Sequence, residues 1–166
     1  MSPDPNRPAD PSAGYAPEHR TAVAAAEEAG ELLRSRIPDG FAARPKGGLG
    51  DVVTDLDLMA ERLVVGRIRD RFPDDRILAE ESGEHRGDGS GRTWLVDPLD
   101  GSNNVVIGLP VYVVGIALCV DEAPVVGVVH DPVAGRTWSA LRGGGAHGPH
   151  GELAGGRGGR PLPPAG

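Results

Sequence analysis

Five carboxylates stand where residue type and spacing allow joint chemistry. Glu80 and Glu81 close the short apolar run Ile77-Leu78-Ala79, Asp97 and Asp100 close the next run three apart around Pro98 and Leu99, and Asp51 follows a Gly-rich turn. Acids at the ends of neighbouring strands can converge on one edge of a sheet, where their repulsion is relieved by a cation or by taking up protons. Hard oxygen ligands unaccompanied by His or Cys select Mg²⁺ over zinc or copper. Plainer readings stand beside this one. Glu81 alone reads as a solvated surface charge, and Asp97-Pro98 and Asp100-Gly101 are turn dipeptides. On residue type alone, both readings of the Asp pair stay open.

The elements that must position these acids can be read from periodicity. Residues 18–36 are rich in Ala and Glu, with Val23, Ala26, Leu32 and Leu33 available for one helical face, and Pro38-Asp39-Gly40 stops the run. A second helix is announced by Thr54 three residues before Asp57, a capping-box spacing. Leu56, Met59, Ala60, Leu63, Val64 and Ile68 then recur at helical intervals as far as Phe72-Pro73. The period changes after that. Residues 77–79 and 93–96 read as strands separated by a polar loop over 82–92, and 111–120 and 125–130 read as a hairpin of buried strands. Residues 136–141 form a further strand, and from Gly143 the periodicity dissolves. Helices first and antiparallel strands afterwards predict an α+β layered domain.

Composition bounds the remaining possibilities. The chain has 166 residues, with Lys+Arg 17 against Asp+Glu 24 and a net charge of −7, so it repels nucleic-acid backbones and suits divalent cations. Cys119 is the single cysteine, which excludes a disulfide framework or a thiolate zinc site within the chain. No apolar run is long enough for a membrane span, and Met1-Ser2-Pro3-Asp4 shows no secretory signal, so a cytoplasmic location without membrane or nucleic-acid partners is expected. Gly and Pro crowd both ends. Residues 1–17 are read as a disordered tail, 18–153 as the folded part, and 154–166 as a Gly/Pro/Arg-rich disordered tail.

The wording of the acidic segments goes further. Asp51-Val52-Val53-Thr54-Asp55-Leu56-Asp57 resembles the D-x-V-T-x-x-D segment of the inositol monophosphatase family, and Ala79-Glu80-Glu81-Ser82-Gly83 is similar to its G/A-E-E-S segment. Trp94-Leu95-Val96-Asp97-Pro98-Leu99-Asp100-Gly101-Ser102-Asn103-Asn104 resembles its W-x-x-D-P-[IL]-D-G-T-x-N-F signature, and Gly108-Leu109-Pro110 and Gly127-Val128-Val129-His130-Asp131-Pro132 fall in the expected places. The resemblance implies a layered α/β sandwich of the sugar-phosphatase type, with N-terminal helices on a mainly antiparallel sheet. It implies hydrolysis of a small phosphorylated metabolite, such as an inositol monophosphate, with two or three Mg²⁺ ions per site. Residue by residue, it implies Glu80 as a shared metal ligand and Asp97 as a bridge between two ions. Asp100 would bind the second ion, and Leu99 would offer its backbone carbonyl to the first. It assigns Asp51 to orienting the attacking water, Ser102 to the place of the family's catalytic Thr, and the segment of Gly101, Ser102 and Asn103 to holding phosphate. Metal ions of this kind screen the phosphate charge and stabilise the leaving alkoxide, while the hydroxyl and acid position or deprotonate water.

The departures matter as well. Ser102 keeps the hydroxyl but replaces Thr, a wording that fructose-1,6-bisphosphatases share, and Val105 replaces the usual Phe. The substrate is therefore left open among inositol phosphate, histidinol phosphate, 3′-phosphoadenosine 5′-phosphate and fructose 1,6-bisphosphate. Nothing matches the W-D-x-A-A-type segment of the family's second half, since neither Trp94 nor Trp138 begins one. The chain therefore reads as the first half of the fold with the C-terminal half missing. Two consequences are expected, a weakened second metal site and uncovered apolar surface that favours self-association or aggregation, with a homodimer among the partners to expect; a non-catalytic remnant or docking subunit is the rival reading. Elsewhere, Lys46 lies in a Gly-rich loop that could approach phosphate, although a surface lysine is the commoner case. His130 reads as a structural hydrogen-bonder and Cys119 as a small core residue.

Overall fold

A computed structural model of the chain describes residues 13–47, 52–87 and 91–153. The first helix, α1 (Ala16–Arg36), follows a 3-10 turn at Ala13–Tyr15. Order thus begins inside the 1–17 segment read as disordered. Pro17 suits a first helical turn, where no N–H is needed, and Tyr15 packs against the core. The buried stripe of α1 is Ala22, Ala25, Ala26, Ala29 and Leu33, each at most 1 % exposed, whereas Val23 is only partly buried. Small side chains let the helix approach the sheet closely, which selected this phase over the one that Val23 and Leu32 suggested.

A two-stranded antiparallel ladder of β1 (Ala43–Pro45) and β2 (Val52–Thr54) leads into α2 (Asp55–Arg71). The capping box forms as its spacing predicts, with Thr54 and Asp57 each bonding the other's backbone N–H. The buried face of α2 carries Leu56, Ala60, Val64, Val65 and Ile68, and within that stripe Asp57 and Glu61.

Both helices pack against a sheet of eight strands: β3 (Arg76–Ala79), β4 (Gly83–His85), β5 (Arg92–Asp100), β6 (Val113–Val120), β7 (Ala123–Asp131), β8 (Arg136–Leu141), β9 (Gly145–Gly148) and β10 (Gly151–Glu152). Their spatial order is β10-β9-β8-β7-β6-β5-β3-β4, and among the described residues only the β3–β5 pair is parallel. The architecture is the expected α+β fold, with helices on one face of a mostly antiparallel sheet. Strands β4, β9 and β10 had no sequence signal. They are short, Gly-bearing pieces toward the two ends of the sheet that gain their conformation from pairing rather than from an alternating pattern.

The core lies between the helices and the sheet. Trp94 is fully buried, its Nε1–H donating to Asp75 Oδ2 at 2.8 Å with its ring 5.5 Å from that of Phe72. Arg92 joins Asp75 to Glu18 of α1 at 2.8 and 2.7 Å. This network fixes the entry of β5, whose far end carries the acids.

Candidate active site

The single parallel pairing in the sheet brings the acids together. In an antiparallel pair, the C-terminal ends of two strands lie at opposite edges. Here β3 and β5 run in the same direction with Ala79 opposite Val96, so the next residues, Glu80 and Asp97, come side by side, Glu80 just past the end of β3 and Asp97 still paired with β6. The Glu80 N–H donates to Val96 O at 3.1 Å and continues the ladder to that point.

A bulge completes the arrangement. Alternation along a strand would place Asp97 and Asp100, three apart, on opposite faces. Against β6, however, Asp97 pairs with Gly115 and Asp100 with Val113, so β5 holds one extra residue between them. The extra residue returns both acids to one side. Pro98 lies inside the bulge, where a missing N–H costs no ladder bond. Glycine is required just beyond. Gly101 has φ 106°, and a Cβ there would stand 2.8 Å from Val111 O. The chain then turns into the single-turn helix α3 (Ser102–Val106).

Glu80, Asp97, Leu99, Asp100, Gly101, Ser102, Asn103 and Asn104 thus line one cavity of about 330 Å³, with Val52 from β2 on its wall. All the residues assigned from the sequence to metal, hydroxyl and phosphate roles are brought together there except Asp51, which lies outside the described residues. The acid that meets Ser102 is a different one. Ser102 Oγ lies 2.6 Å from Asp57 Oδ1 and 2.9 Å from Leu99 O. Its one proton can serve only one of them, and the carboxylate is the nearer and stronger acceptor. Asp57 Oδ2 accepts from the Thr54 N–H at 2.8 Å and from Thr54 Oγ at 2.5 Å. The helix cap and the site are therefore one hydrogen-bonded unit. In the sequence Asp57 reads only as a capping residue, although it is the second acid of the same D-x-V-T-x-x-D segment.

The electrostatics are those of a place where positive charge is wanted. Asp97 Oδ1 is buried without a hydrogen-bond partner. Burial, then the hydrogen bond and charge of Glu80 and the charge of Asp100, push the Asp97 carboxyl up to about 7. Lys46 supplies a partial answer, with Nζ 2.7 Å from Glu80 Oε1 and 2.6 Å from Glu81 Oε1. Burial pulls the Lys46 ammonium down, but its bonds to the two glutamates outweigh this and hold it above the ordinary lysine range. Glu81 is raised nonetheless, because burial outweighs its bond to Lys46. So Lys46 is a site residue rather than a surface lysine. With Glu80 engaged by Lys46, no three His, Cys, Asp or Glu side chains among the described residues are gathered as tightly as a metal centre requires. The donor set itself fits a hard cation: three carboxylates, that of Asp97 with a buried oxygen left without a partner, and the Leu99 carbonyl.

Other expectations find their places. His130 is buried under α1, its Nδ1 3.0 Å from Thr137 Oγ, and serves structure as expected. Cys119 is only partly buried rather than a core residue. Among the described residues, no helix is long and apolar enough to cross a membrane.

Comparison with known proteins agrees with this geometry. Residues 16–153 match the model of the inositol monophosphatase family. The Nus factor SuhB of Salmonella typhimurium is 39% identical over 127 residues, covering 75% of this chain and 47% of that protein. Inositol monophosphatase 1 of Solanum lycopersicum is 36% identical over 129 residues, covering 76% and 47%. Among solved structures, the extragenic suppressor protein SuhB of Bartonella henselae superposes with a TM-score of 0.79 at 31% identity, over 83% of this chain and 54% of that one. The Thermotoga maritima IMPase gives 0.74 at 31% identity, over 82% and 53%. The chain spans about half the length of the relatives it matches. By its motifs, its fold and a family match across most of its length, this chain belongs to the inositol monophosphatase family.

Proposed function

We propose that the chain carries the cation- and hydroxyl-bearing part of a Mg²⁺-dependent phosphomonoesterase acting on a small phosphorylated metabolite. The observation that carries this reading is the 2.6 Å contact between Ser102 Oγ and Asp57 Oδ1 at the wall of a carboxylate-lined cavity. Glu80, Asp97 and the Leu99 carbonyl would hold one Mg²⁺, and Asp97 with Asp100 a second. When bound, such ions screen the phosphate oxygens and stabilise the departing alkoxide.

The protein's own residues do the rest. Ser102, donating to Asp57, has lone pairs left to accept a hydrogen bond from the attacking water. As that water attacks phosphorus and the bond from phosphorus to the ester oxygen breaks, the water's proton passes to Ser102 Oγ while the Ser102 proton moves to Asp57 Oδ1, so the hydroxyl ends unchanged, Asp57 holds the proton, and the departing alkoxide takes one from solvent water. Thr54 keeps the Asp57 carboxylate aimed by occupying its other oxygen. Gly101, Ser102 and Asn103 form the wall against which the phosphate would rest. A panel of inositol monophosphate, histidinol phosphate, 3′-phosphoadenosine 5′-phosphate and fructose 1,6-bisphosphate, with Asp97→Asn as the blank, tests the reading. Mg²⁺-dependent phosphate release by the wild-type chain is expected, and equal turnover by the two proteins overturns it.

One observation favours a second reading, a non-catalytic docking subunit. The sheet face away from the helices carries an open apolar trough of about 540 Å³, with Leu95, Val129, Trp138 and Leu153 around Gly115, Ala117 and Gly127. Size-exclusion chromatography combined with Mg²⁺ titration separates the two readings, because a docking subunit would associate without taking up the cation.

A further inference from the structure

We propose that Glu61 is a positioning residue that sets the metal-facing turn from beneath. The proposal rests on the cation-site reading above, but makes a claim of its own about how Glu80 and Glu81 are held.

Three consecutive amides define that turn, and each has its acceptor. The Glu80 N–H is bonded to Val96 O within the sheet. The next two leave the sheet and go to one side chain, the Glu81 N–H donating to Glu61 Oε2 at 2.7 Å and the Ser82 N–H to Glu61 Oε1 at 2.9 Å. Glu61 is only 3 % exposed. A buried carboxylate is costly unless its oxygens are satisfied, and two adjacent backbone N–H groups satisfy both oxygens here. The direction of the Glu80 and Glu81 side chains is therefore set by a residue on α2 that does not itself line the cavity.

Glu61 also has a counterpart. Asp57 lies four residues earlier on the same buried stripe and is 2 % exposed. Like charges at that spacing repel along a helix, so the pair works against helix stability. Each acid nevertheless holds a different segment. Asp57 receives Ser102 from the β5–α3 turn, and Glu61 receives the turn after β3. One rigid turn of α2 thereby fixes the distance between the hydroxyl side of the site and its carboxylate side. Capping explains Asp57 and leaves Glu61 unexplained, because Glu61 lies beyond the first turn.

The experiment uses Glu61→Gln, which keeps shape and length but sets an amide N–H₂ against one of the two backbone donors. The first readout is the Lys46 ammonium, observed by ¹⁵N NMR at low temperature, because its hydrogen exchange reports how well Glu80 and Glu81 are aligned. The second is Mg²⁺ affinity by calorimetry, with Asp97→Asn as the non-binding reference and Glu28→Gln, in a surface ion pair with Arg67, as the neutral control. The expected result is at least fivefold faster exchange at Lys46 and at least fivefold weaker Mg²⁺ binding for Glu61→Gln, with circular dichroism unchanged. A folded Glu61→Gln protein whose Lys46 exchange stays within twofold of wild type overturns the proposal, whatever its thermal stability. If Lys46 responds to Glu61→Gln but the wild-type chain takes up no Mg²⁺, Glu61 keeps its role and the cation-site reading is the one that falls.

Discussion

Asp57 concentrates two duties in one carboxylate, and the two can be separated by measurement. Its Oδ2 belongs to the helix cap and its Oδ1 to Ser102. Asp57→Asn can satisfy the Thr54 donors or the Ser102 donor but not both, because one of its two terminal atoms becomes a donor. Loss of a cap costs about 1–2 kcal/mol, so urea unfolding should show a loss in that range. Removal of a group that takes up a proton in the transition state costs roughly 10²–10⁴-fold in rate, and kcat for Asp57→Asn should fall by that order with KM little changed. Ser102→Thr, which keeps the hydroxyl, should retain activity within a few-fold, whereas Ser102→Ala should fall as far as Asp57→Asn. A kcat for Asp57→Asn close to wild type, with only the stability loss present, would leave Asp57 as a cap and nothing more.

At the scale of elements, α1 lies tightly against β7. A Cβ at Gly30 would stand 2.3 Å from His130 Cδ2 and 2.5 Å from Nε2, and His130 is itself held by Thr137. The helix would have to lift from the sheet, and overpacking of this kind costs about 1–3 kcal/mol. Gly66, in α2, would meet nothing within 4 Å, so Gly66→Ala should gain up to about 1 kcal/mol from helix propensity. Opposite shifts in thermal midpoint for Gly30→Ala and Gly66→Ala are therefore expected, and a common sign would show that propensity rather than packing governs α1. The same contrast marks how far the sequence could be read. Both helices and the strands from Val113 to Leu141 were legible, because burial imposes a period on side chains that touch only one partner surface. The side-by-side placement of Glu80 and Asp97 depends on β3 pairing parallel with β5, a long-range choice that no local pattern records. Asp57 read only as a cap and Glu61 drew no reading for the converse reason: the donors that make them site residues are brought in from β2, the β3–β4 turn and α3, and no pattern within α2 records them.

For the molecule as a whole, the site is a cost that the rest of the fold sustains, and Asp97 is where that cost can be measured. Its carboxyl is raised in the folded chain from 3.8 to about 7 by burial and by Glu80 and Asp100. When a folded-state value is raised, the folded protein holds a proton that the unfolded chain has lost, so stability is fully present below the unfolded value and is lost as pH rises through the folded one. The window for Asp97 is therefore pH 4 to 7, and above it the full penalty applies. At about 1.4 kcal/mol per pH unit the shift would amount to about 4 kcal/mol, but Asp97 is only partly buried, and solvent screening reduces this to about 1–2 kcal/mol. Asp97→Asn removes the charge while keeping the shape. It should therefore be more stable than wild type by about 1–2 kcal/mol at pH 8, and nearly equal to it at pH 4. Saturating Mg²⁺ should close or reverse the gap at pH 8, because only the wild-type site gains the free energy of cation binding. Urea unfolding of both proteins at the two pH values, with and without Mg²⁺, measures all of these terms. A wild-type chain as stable at pH 8 as Asp97→Asn would mean that the cluster carries no stored repulsion. The main physical reason for expecting a cation among Glu80, Asp97 and Asp100 would then be gone.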